Sequence, residues 1–164
     1  LLRKYWRRGG ASIASVRLFF VMPSTKRTSL LARFLGARES GPPEFLRAQN
    51  LTRDTEIGSR IEVADTAARR NKGLLGRSGL NPGEGLWIVP CEAVHTFAMK
   101  FAIDLLYVDK AHRVVKVRHA VPPRRISTAL RAHSVIELPA GTLADTQTQR
   151  GDQLRLERLD PQSN

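Results

Sequence analysis

From Asn50 onward, the apolar residues of this chain fall in short runs that are separated by turn residues. The run at residues 103–108 is apolar on both faces except for Asp104, a pattern typical of a central strand that is covered on both sides. The run at residues 134–138 is also strongly apolar and is interrupted by one acid, Glu137. Short apolar runs that are bounded by turns predict a β-rich domain.

The remaining predicted strands lie at residues 59–64, 86–89, 113–118 and 152–158. One helix is predicted at residues 66–75, with Asp65 or Thr66 as its N-cap. Residues 122–132 are predicted to form a loop or a short helix. About six or seven short strands with one principal helix imply a mainly β fold, a compact antiparallel β-sandwich or β-barrel.

The charge of the chain is unevenly distributed. It has 27 Lys and Arg residues against 15 Asp and Glu residues, a net charge of +12, which by itself indicates a polyanionic partner. Residues 1–49 contain ten basic and two acidic residues, so that segment carries +8 and residues 50–164 carry only +4. The predicted domain is therefore mildly basic, and net charge alone does not assign it a partner.

Residues 1–49 are expected to be a disordered basic segment, and we place a single β-rich domain at residues 50–164. The segment fits either a targeting peptide or upstream sequence that precedes a later start. Its uninterrupted apolar stretch, residues 18–22, is far shorter than the ~20 residues that span a bilayer, so no transmembrane segment is predicted. We expect a soluble cytoplasmic protein, with export as the alternative if residues 1–49 act as a signal.

Several motifs occur in a specific order along the chain. They are KGLLGRSGL (72–80), GEGLWIVP (83–90), HTFAMKFAIDLLYVD (95–109), VPP (121–123), SVIELPAGT (134–142) and GDQLRL (151–156). Together they resemble the family numbered 192 among the domains of unknown function, over roughly residues 57–158. The resemblance implies a small β-rich fold found largely in prokaryotes, and it implies no established activity, cofactor or catalytic residue. Ala102 departs from the family, which often has Pro there.

Cys91, His95 and Met99 are spaced four residues apart and so share a face in a helix or a strand. A Cys, a His and a Met are the ligand types of a blue-copper site, but such a site needs a second imidazole upstream, and no His precedes His95. The lone Cys also excludes a disulfide within the chain and a zinc site made of Cys alone. We therefore predict neither a metal nor a cofactor.

Cys91 is also a candidate nucleophile that His95 activates, because an imidazole can lower a thiol pKa and relay protons. The orienting acid would have to be Asp104 or Glu137. No glycine motif typical of an oxyanion hole flanks the pair. A small enzyme is thus the alternative prediction, and the first prediction is a protein without catalytic residues.

Asp104 and Glu137 each interrupt an apolar strand, and a buried carboxylate costs several kcal/mol unless it is paired or hydrogen-bonded. Arg77 is the favoured partner because its planar guanidinium can hold a carboxylate with two hydrogen bonds, and Lys100 and His95 are the other candidates. The alternatives are that each acid faces solvent at a strand end, or that the two form a paired acid/base site.

Specific nucleic-acid recognition is not predicted. Arg124, Arg125 and Arg131 can line one loop, but the aromatic residues lie in apolar runs that indicate core positions: Trp87, Phe97, Phe101 and Tyr107. The sequence predicts a non-enzymatic module that binds a small molecule or a protein. Its candidate polar cluster consists of Arg77, Cys91, His95, Asp104 and Glu137.

Overall fold

The structure is a computed structural model, and it describes residues 41–160. The predicted basic segment therefore lies outside the described residues as far as residue 40. The elements of the described part are β1 (Phe45–Asn50), β2 (Thr55–Ala64), α1 (Ala67–Lys72), β3 (Glu84–Ile88), β4 (Ala93–His95), β5 (Ile103–Val108), β6 (Val114–Val121), β7 (Ile126–Thr128), β8 (Ser134–Pro139), α2 (Thr142–Asp145) and β9 (Leu154–Arg158). The predicted mainly β fold is confirmed.

Three strands lie outside the sequence prediction. Strand β1 begins at Phe45, before the predicted domain boundary at Asn50, and the division of the chain at that residue stays a prediction. Strands β4 and β7 have three residues each, which is too few to show an alternating pattern, and β7 lies where a loop or a short helix is predicted. The described residues thus form more strands than the pattern predicts.

Seven strands form one sheet in the order β6-β5-β8-β3-β2-β1-β9. Its neighbouring strands pair in antiparallel fashion, except that β2 and β3 are parallel with Val63 opposite Trp87. The parallel pair differs from the predicted antiparallel architecture because α1 lies between β2 and β3 and returns the chain to the end of the sheet where β2 begins.

Helix α1 forms where the sequence predicts it but is shorter. The Thr66 hydroxyl accepts a hydrogen bond from the backbone N–H of Arg69 at 3.2 Å, as expected of an N-cap. Gly73 follows the last helical residue with a φ of 50°, a conformation that favours glycine, and its N–H donates to the carbonyl of Arg69. This early glycine ends the helix at Lys72.

Strand β5 lies between β6 and β8, and all six of its residues are buried, which confirms the predicted central strand. Its side chains alternate between two apolar clusters on opposite faces of the sheet. The cluster that contains Leu106 and Ile136 defines the first face, and the cluster that contains Leu105 and Tyr107 defines the second face. Both faces are covered, so β5 needs apolar residues at nearly every position.

Strands β4 and β7 form a separate two-stranded antiparallel sheet over the second face. Val94 is opposite Ser127, and both are buried, with Val94 in the cluster of the second face. His95 is opposite Ile126, and both are exposed. Because paired residues of neighbouring strands share a face, the small sheet has one inner face and one outer face. Within residues 41–160, no helix is long and apolar enough to span a membrane.

Candidate functional site

Asp104 is fully buried and accepts three hydrogen bonds from backbone amides. Its Oδ1 accepts from Ala120 at 2.7 Å, and its Oδ2 accepts from Gly141 at 3.1 Å and from Leu143 at 2.9 Å. These bonds connect β5 to the end of β6 and to the start of α2. Backbone N–H groups therefore take the place of the predicted side-chain partner, and Asp104 has a structural environment.

Glu137 lies on the opposite face of the sheet from Asp104. In the pairing of β5 with β8, Leu105 is opposite Glu137, and Asp104 is opposite Leu138. Paired side chains share a face and successive ones alternate, so Glu137 is on the second face and Asp104 is on the first. The sheet therefore separates the two carboxylates, and they do not form the paired acid/base site that was an alternative interpretation.

Glu137 is only 4% exposed. Burial raises its pKa from the ordinary 4.5 to about 7, and the positive charge of Arg77 offsets part of that rise. Arg77 itself forms an ion pair with Glu62. Arg77 thus acts on Glu137 as the sequence predicts, but its direct contact is with a different acid.

Cys91 is a protonated thiol at neutral pH. Burial is the main cause that raises its pKa to about 11, and the charge of Glu137 adds to it. Its Sγ lies 3.2 Å from the carbonyl oxygen of Ala93, to which it donates. A thiol is a weak nucleophile, because the reactive form is the thiolate. This environment gives no support to catalysis by Cys91.

His95 does not activate Cys91. The groups that act on the thiol are the Ala93 carbonyl, Glu137, Arg70 and Glu92. His95 lies on the outer face of β4, where the centroid of its ring is 5.5 Å from that of Phe97, with an interplanar angle of 38°. The predicted polar cluster is therefore divided among the first face, the second face and the outer face of the small sheet.

The sequence did not single out two hydroxyl groups of the second face. Burial raises the pKa of Tyr107 to about 12, and Cys91, Glu137 and Ser127 are among the groups that act on it. Neither Tyr107 Oη nor Ser127 Oγ has a hydrogen-bond partner among the described residues. The phenol and the thiol that Glu137 acts on are both uncharged at neutral pH. No sequence signal distinguishes Tyr107 or Ser127 from ordinary strand residues.

The residue between His95 and Phe97, Thr96, is buried and connects β4 to the loop before β7. Its backbone N–H donates to the carbonyl of Arg125 at 2.9 Å, and its carbonyl accepts from the N–H of Arg124 at 3.0 Å. Its hydroxyl accepts from the Arg125 N–H at 2.9 Å and donates to the Pro122 carbonyl at 2.8 Å. These four bonds fix the two segments on which the exposed side chains lie.

The large side chains of the outer face are those of His95, Phe97 and Ile126. Phe97 is 46% exposed and Ile126 is 54% exposed, so the prediction that Phe97 belongs to the core is wrong. Phe97 lies two residues after the end of β4 at His95. The alternation of buried and exposed residues within β4 therefore does not determine where its side chain lies.

Basic residues and unusual backbone conformations border the outer face. Lys100, Arg124 and Arg125 are exposed in the flanking loops. Ala98 has a φ of 61° and Arg124 a φ of 62°, in the left-handed region that non-glycine residues rarely adopt. Such conformations persist only where the surrounding structure holds them, and they are frequent at binding sites. Here the hydrogen bonds of Thr96 hold both segments.

The positive charge of the described residues is concentrated in one stretch of the chain, which includes the segments of the outer face. Residues 93–128 contain seven basic and two acidic residues, a net charge of +5, and one of those acids is the buried Asp104. The other residues of 41–160 contain eleven basic and twelve acidic residues, a net charge of −1. The domain is mildly basic, as its composition predicts, but its net positive charge comes from residues 93–128, and the other described residues are nearly neutral together.

Two open clefts of about 450 and 440 Å³ occur on the described surface. His133 and Leu130 are among the residues of the first, and Arg77 and Leu86 are among those of the second. Neither cleft contains Cys91, His95, Asp104 or Glu137. Within residues 41–160, His, Cys, Asp and Glu side chains do not form a group of three that can hold a metal ion.

The model of the family DUF192, described as "Uncharacterized ACR", matches residues 49–156. The chain belongs to this family. The resemblance that the sequence motifs carry is therefore confirmed, and DUF192 brings with it no described activity.

One relative, a protein of Thermococcus sibiricus named "UPF0127 protein", is 28% identical over 110 residues, which is 64% of this chain and 71% of the relative. Another "UPF0127 protein", from Thermococcus gammatolerans, is 31% identical over 97 residues, which is 56% of this chain and 63% of the relative.

Two crystal structures share the fold of this DUF192 chain. One is of a protein from Sinorhizobium meliloti described as a candidate transcription regulator, with a TM-score of 0.62 and 20% identity, over 70% of this chain and 94% of the other. The second is of a protein of unknown function from Novosphingobium aromaticivorans, with a TM-score of 0.57 and 20% identity, over 68% and 83%. At this identity the likeness shows the fold alone.

Proposed function

We propose that this DUF192 domain is a non-enzymatic binding module and that its contact surface is the outer face, formed by His95, Phe97 and Ile126. The observation that carries the proposal is the exposure of Phe97 and Ile126 on segments that the buried Thr96 holds in place. An exposed aromatic ring on a fixed backbone loses little conformational entropy when a partner covers it. A preformed surface of this kind suits binding.

The partner that fits this surface is anionic. The flanking residues Lys100, Arg124 and Arg125 are exposed cations. Complementary charge steers a partner toward such a surface and orients it there. A contact of this kind combines apolar or aromatic burial at the centre with charge pairing at the edge.

The positions of the polar groups support binding rather than catalysis. Catalysis by Cys91 needs a thiolate, a base and an oxyanion site around one reacting atom. Here the thiol pKa is about 11, His95 is on the outer face, and Asp104 is held by backbone amides on the first face. These groups do not converge.

The test is amide chemical-shift mapping on the full chain during titration with two anionic probes, an acidic peptide that contains aromatic residues and a single-stranded oligothymidylate. The map is the readout because the basic residues of 1–49 also attract anions. We expect shifts at residues 93–100 and 122–128. Replacing both Arg124 and Arg125 by Ala should abolish these shifts, whereas replacing the exposed Lys110 and Arg150 by Ala should not. If both probes leave these segments unshifted, the proposal is wrong.

A further inference from the structure

We propose that the partner of the outer face is single-stranded nucleic acid, with one base stacked on Phe97 and with backbone phosphates bound by Lys100, Arg124 and Arg125. This inference rests on the proposed function and names the class of anion. Its two components, a stacking ring and flanking cations, are the two that nonspecific single-strand binding sites combine.

The stacking component is the Phe97 ring. It is 46% exposed, and the neighbouring His95 ring is tilted by 38° with its centroid 5.5 Å away, so the two rings form a small aromatic platform. Every base has a π-face, and a base that stacks on an aromatic side chain needs no specific hydrogen bond. Thr96, the residue between His95 and Phe97 in the sequence, is fixed by four hydrogen bonds. The backbone that carries both rings is therefore held in place before a base binds.

The electrostatic component lies on a segment whose backbone is hydrogen-bonded to Thr96. The carbonyl of Thr96 accepts from the backbone of Arg124, and its N–H donates to the carbonyl of Arg125, at 3.0 and 2.9 Å. The backbones of the two arginines are thereby fixed next to the segment that carries Phe97, and both side chains are exposed. An arginine guanidinium can hold a phosphate with two parallel hydrogen bonds. Lys100, three residues beyond Phe97, adds a further cation on the same segment.

The size of the surface favours a nucleic acid strand over an acidic protein. A stable protein interface buries about 800 Å² on each partner around an apolar core of several residues. The outer face presents two large exposed apolar residues, Phe97 just after the three-residue strand β4 and Ile126 in the three-residue strand β7. One base with its adjacent phosphates needs far less surface. A duplex is also disfavoured, because its bases stack on one another and reach Phe97 only when they are flipped out.

The experiment uses an oligothymidylate of about twelve nucleotides, within the size range of known single-strand sites, and the full chain. The affinity is taken from the amide shifts of residues 93–100 and 122–128 during the titration, because the basic residues of 1–49 also attract the strand. We expect Phe97→Leu to weaken binding about tenfold, because it keeps the apolar contact and removes the ring. Phe97→Trp should bind at least as tightly as the wild type. Replacing Arg124 and Arg125 by Ala should reduce the salt slope of log K by about 1.4, since each phosphate contact on a single strand contributes about 0.7.

Leu130→Ala is the matched control for Phe97, because Leu130 is 85% exposed and lies outside the outer face. Lys110 and Arg150, both replaced by Ala, are the control for the two arginines. Equal melting temperatures of Phe97→Leu and the wild type show that the fold is intact. If the melting temperatures differ, the affinity of Phe97→Trp tests whether the aromatic ring contributes to binding. Unchanged affinity in Phe97→Leu, or a duplex that binds as tightly as the single strand, overturns the inference. Shifts at the outer face with the acidic peptide alone overturn it too but leave the proposed function standing.

Discussion

Replacing Glu137 by Gln tests the electrostatic account of the second face. The substitution keeps the size of the side chain and removes its ionisation at a position that is 4% exposed. The pKa of Glu137 is about 7 in the folded protein against an ordinary 4.5. The folded state therefore holds the proton more tightly than the unfolded state between these values, and the wild type loses stability as the pH rises from 4.5 to 7.

The size of this effect follows from the two pKa values. Each pKa unit corresponds to about 1.36 kcal/mol, so the full penalty of ionising Glu137 in the folded state is about 3 kcal/mol, reached near pH 8. At pH 5 the penalty is only about 1 kcal/mol. Glu137→Gln removes it, and the stability of the variant relative to the wild type should rise by about 2 kcal/mol between pH 5 and pH 8.

Urea unfolding of the full chain at the two pH values measures this difference, provided that the denaturant slopes of the two proteins agree. Glu56→Gln is the control, because Glu56 is about half exposed, in a surface ion pair with Arg47. Its stability difference should not change with pH by a comparable amount. A pH-independent difference for Glu137→Gln, or a wild type that gains stability relative to the variant toward pH 8, refutes the reasoning.

Three further results are expected. Asp104→Asn should destabilise the domain by about 3 kcal/mol in thermal or urea unfolding, because an amide offers one acceptor oxygen where the carboxylate accepts three N–H groups, and an unchanged transition would contradict this. Cys91 should react with iodoacetamide at neutral pH about a hundred times more slowly in the native chain than in urea, since its pKa is raised to about 11, and equal rates would show an accessible thiolate. Thr96→Val should lower the free energy of unfolding by about 1–3 kcal/mol and speed hydrogen exchange at the Arg125 amide, because that amide loses its hydroxyl acceptor. Unchanged exchange at Arg125 would mean that the Thr96 hydroxyl does not hold the loop.

The central strands follow from the sequence because burial on both faces requires an unusual run of apolar residues. Residues 103–108 form β5, and residues 134–138 lie within β8. Helix α2 is different: backbone N–H groups at its start bind the carboxylate of Asp104, which is far away in the sequence. A local pattern does not contain such a contact, and the sequence reasoning accordingly missed α2.

The candidate site was harder to predict than the strands. Which face of the sheet a residue occupies depends on strand pairing, and this pairing places Asp104 and Glu137 on opposite faces although both interrupt apolar runs. Phe97 lies in an apolar segment of the sequence. Its exposure becomes evident only from the structure, in which the preceding strand β4 pairs with β7 and leaves His95 and Ile126 exposed. Residue type alone therefore did not assign the two acids to opposite faces of the sheet, and it did not distinguish the exposed ring of Phe97 from a core residue.

Amide chemical-shift mapping of the full chain with the acidic peptide and the oligothymidylate tests the central claim most directly. The account predicts that at least one probe shifts residues 93–100 and 122–128, and that these shifts disappear when Arg124 and Arg125 are both replaced by Ala. Two results would contradict the account. One is a set of shifts confined to other surfaces, such as the cleft beside Arg77, and the other is the absence of any response to either probe at residues 93–100 and 122–128.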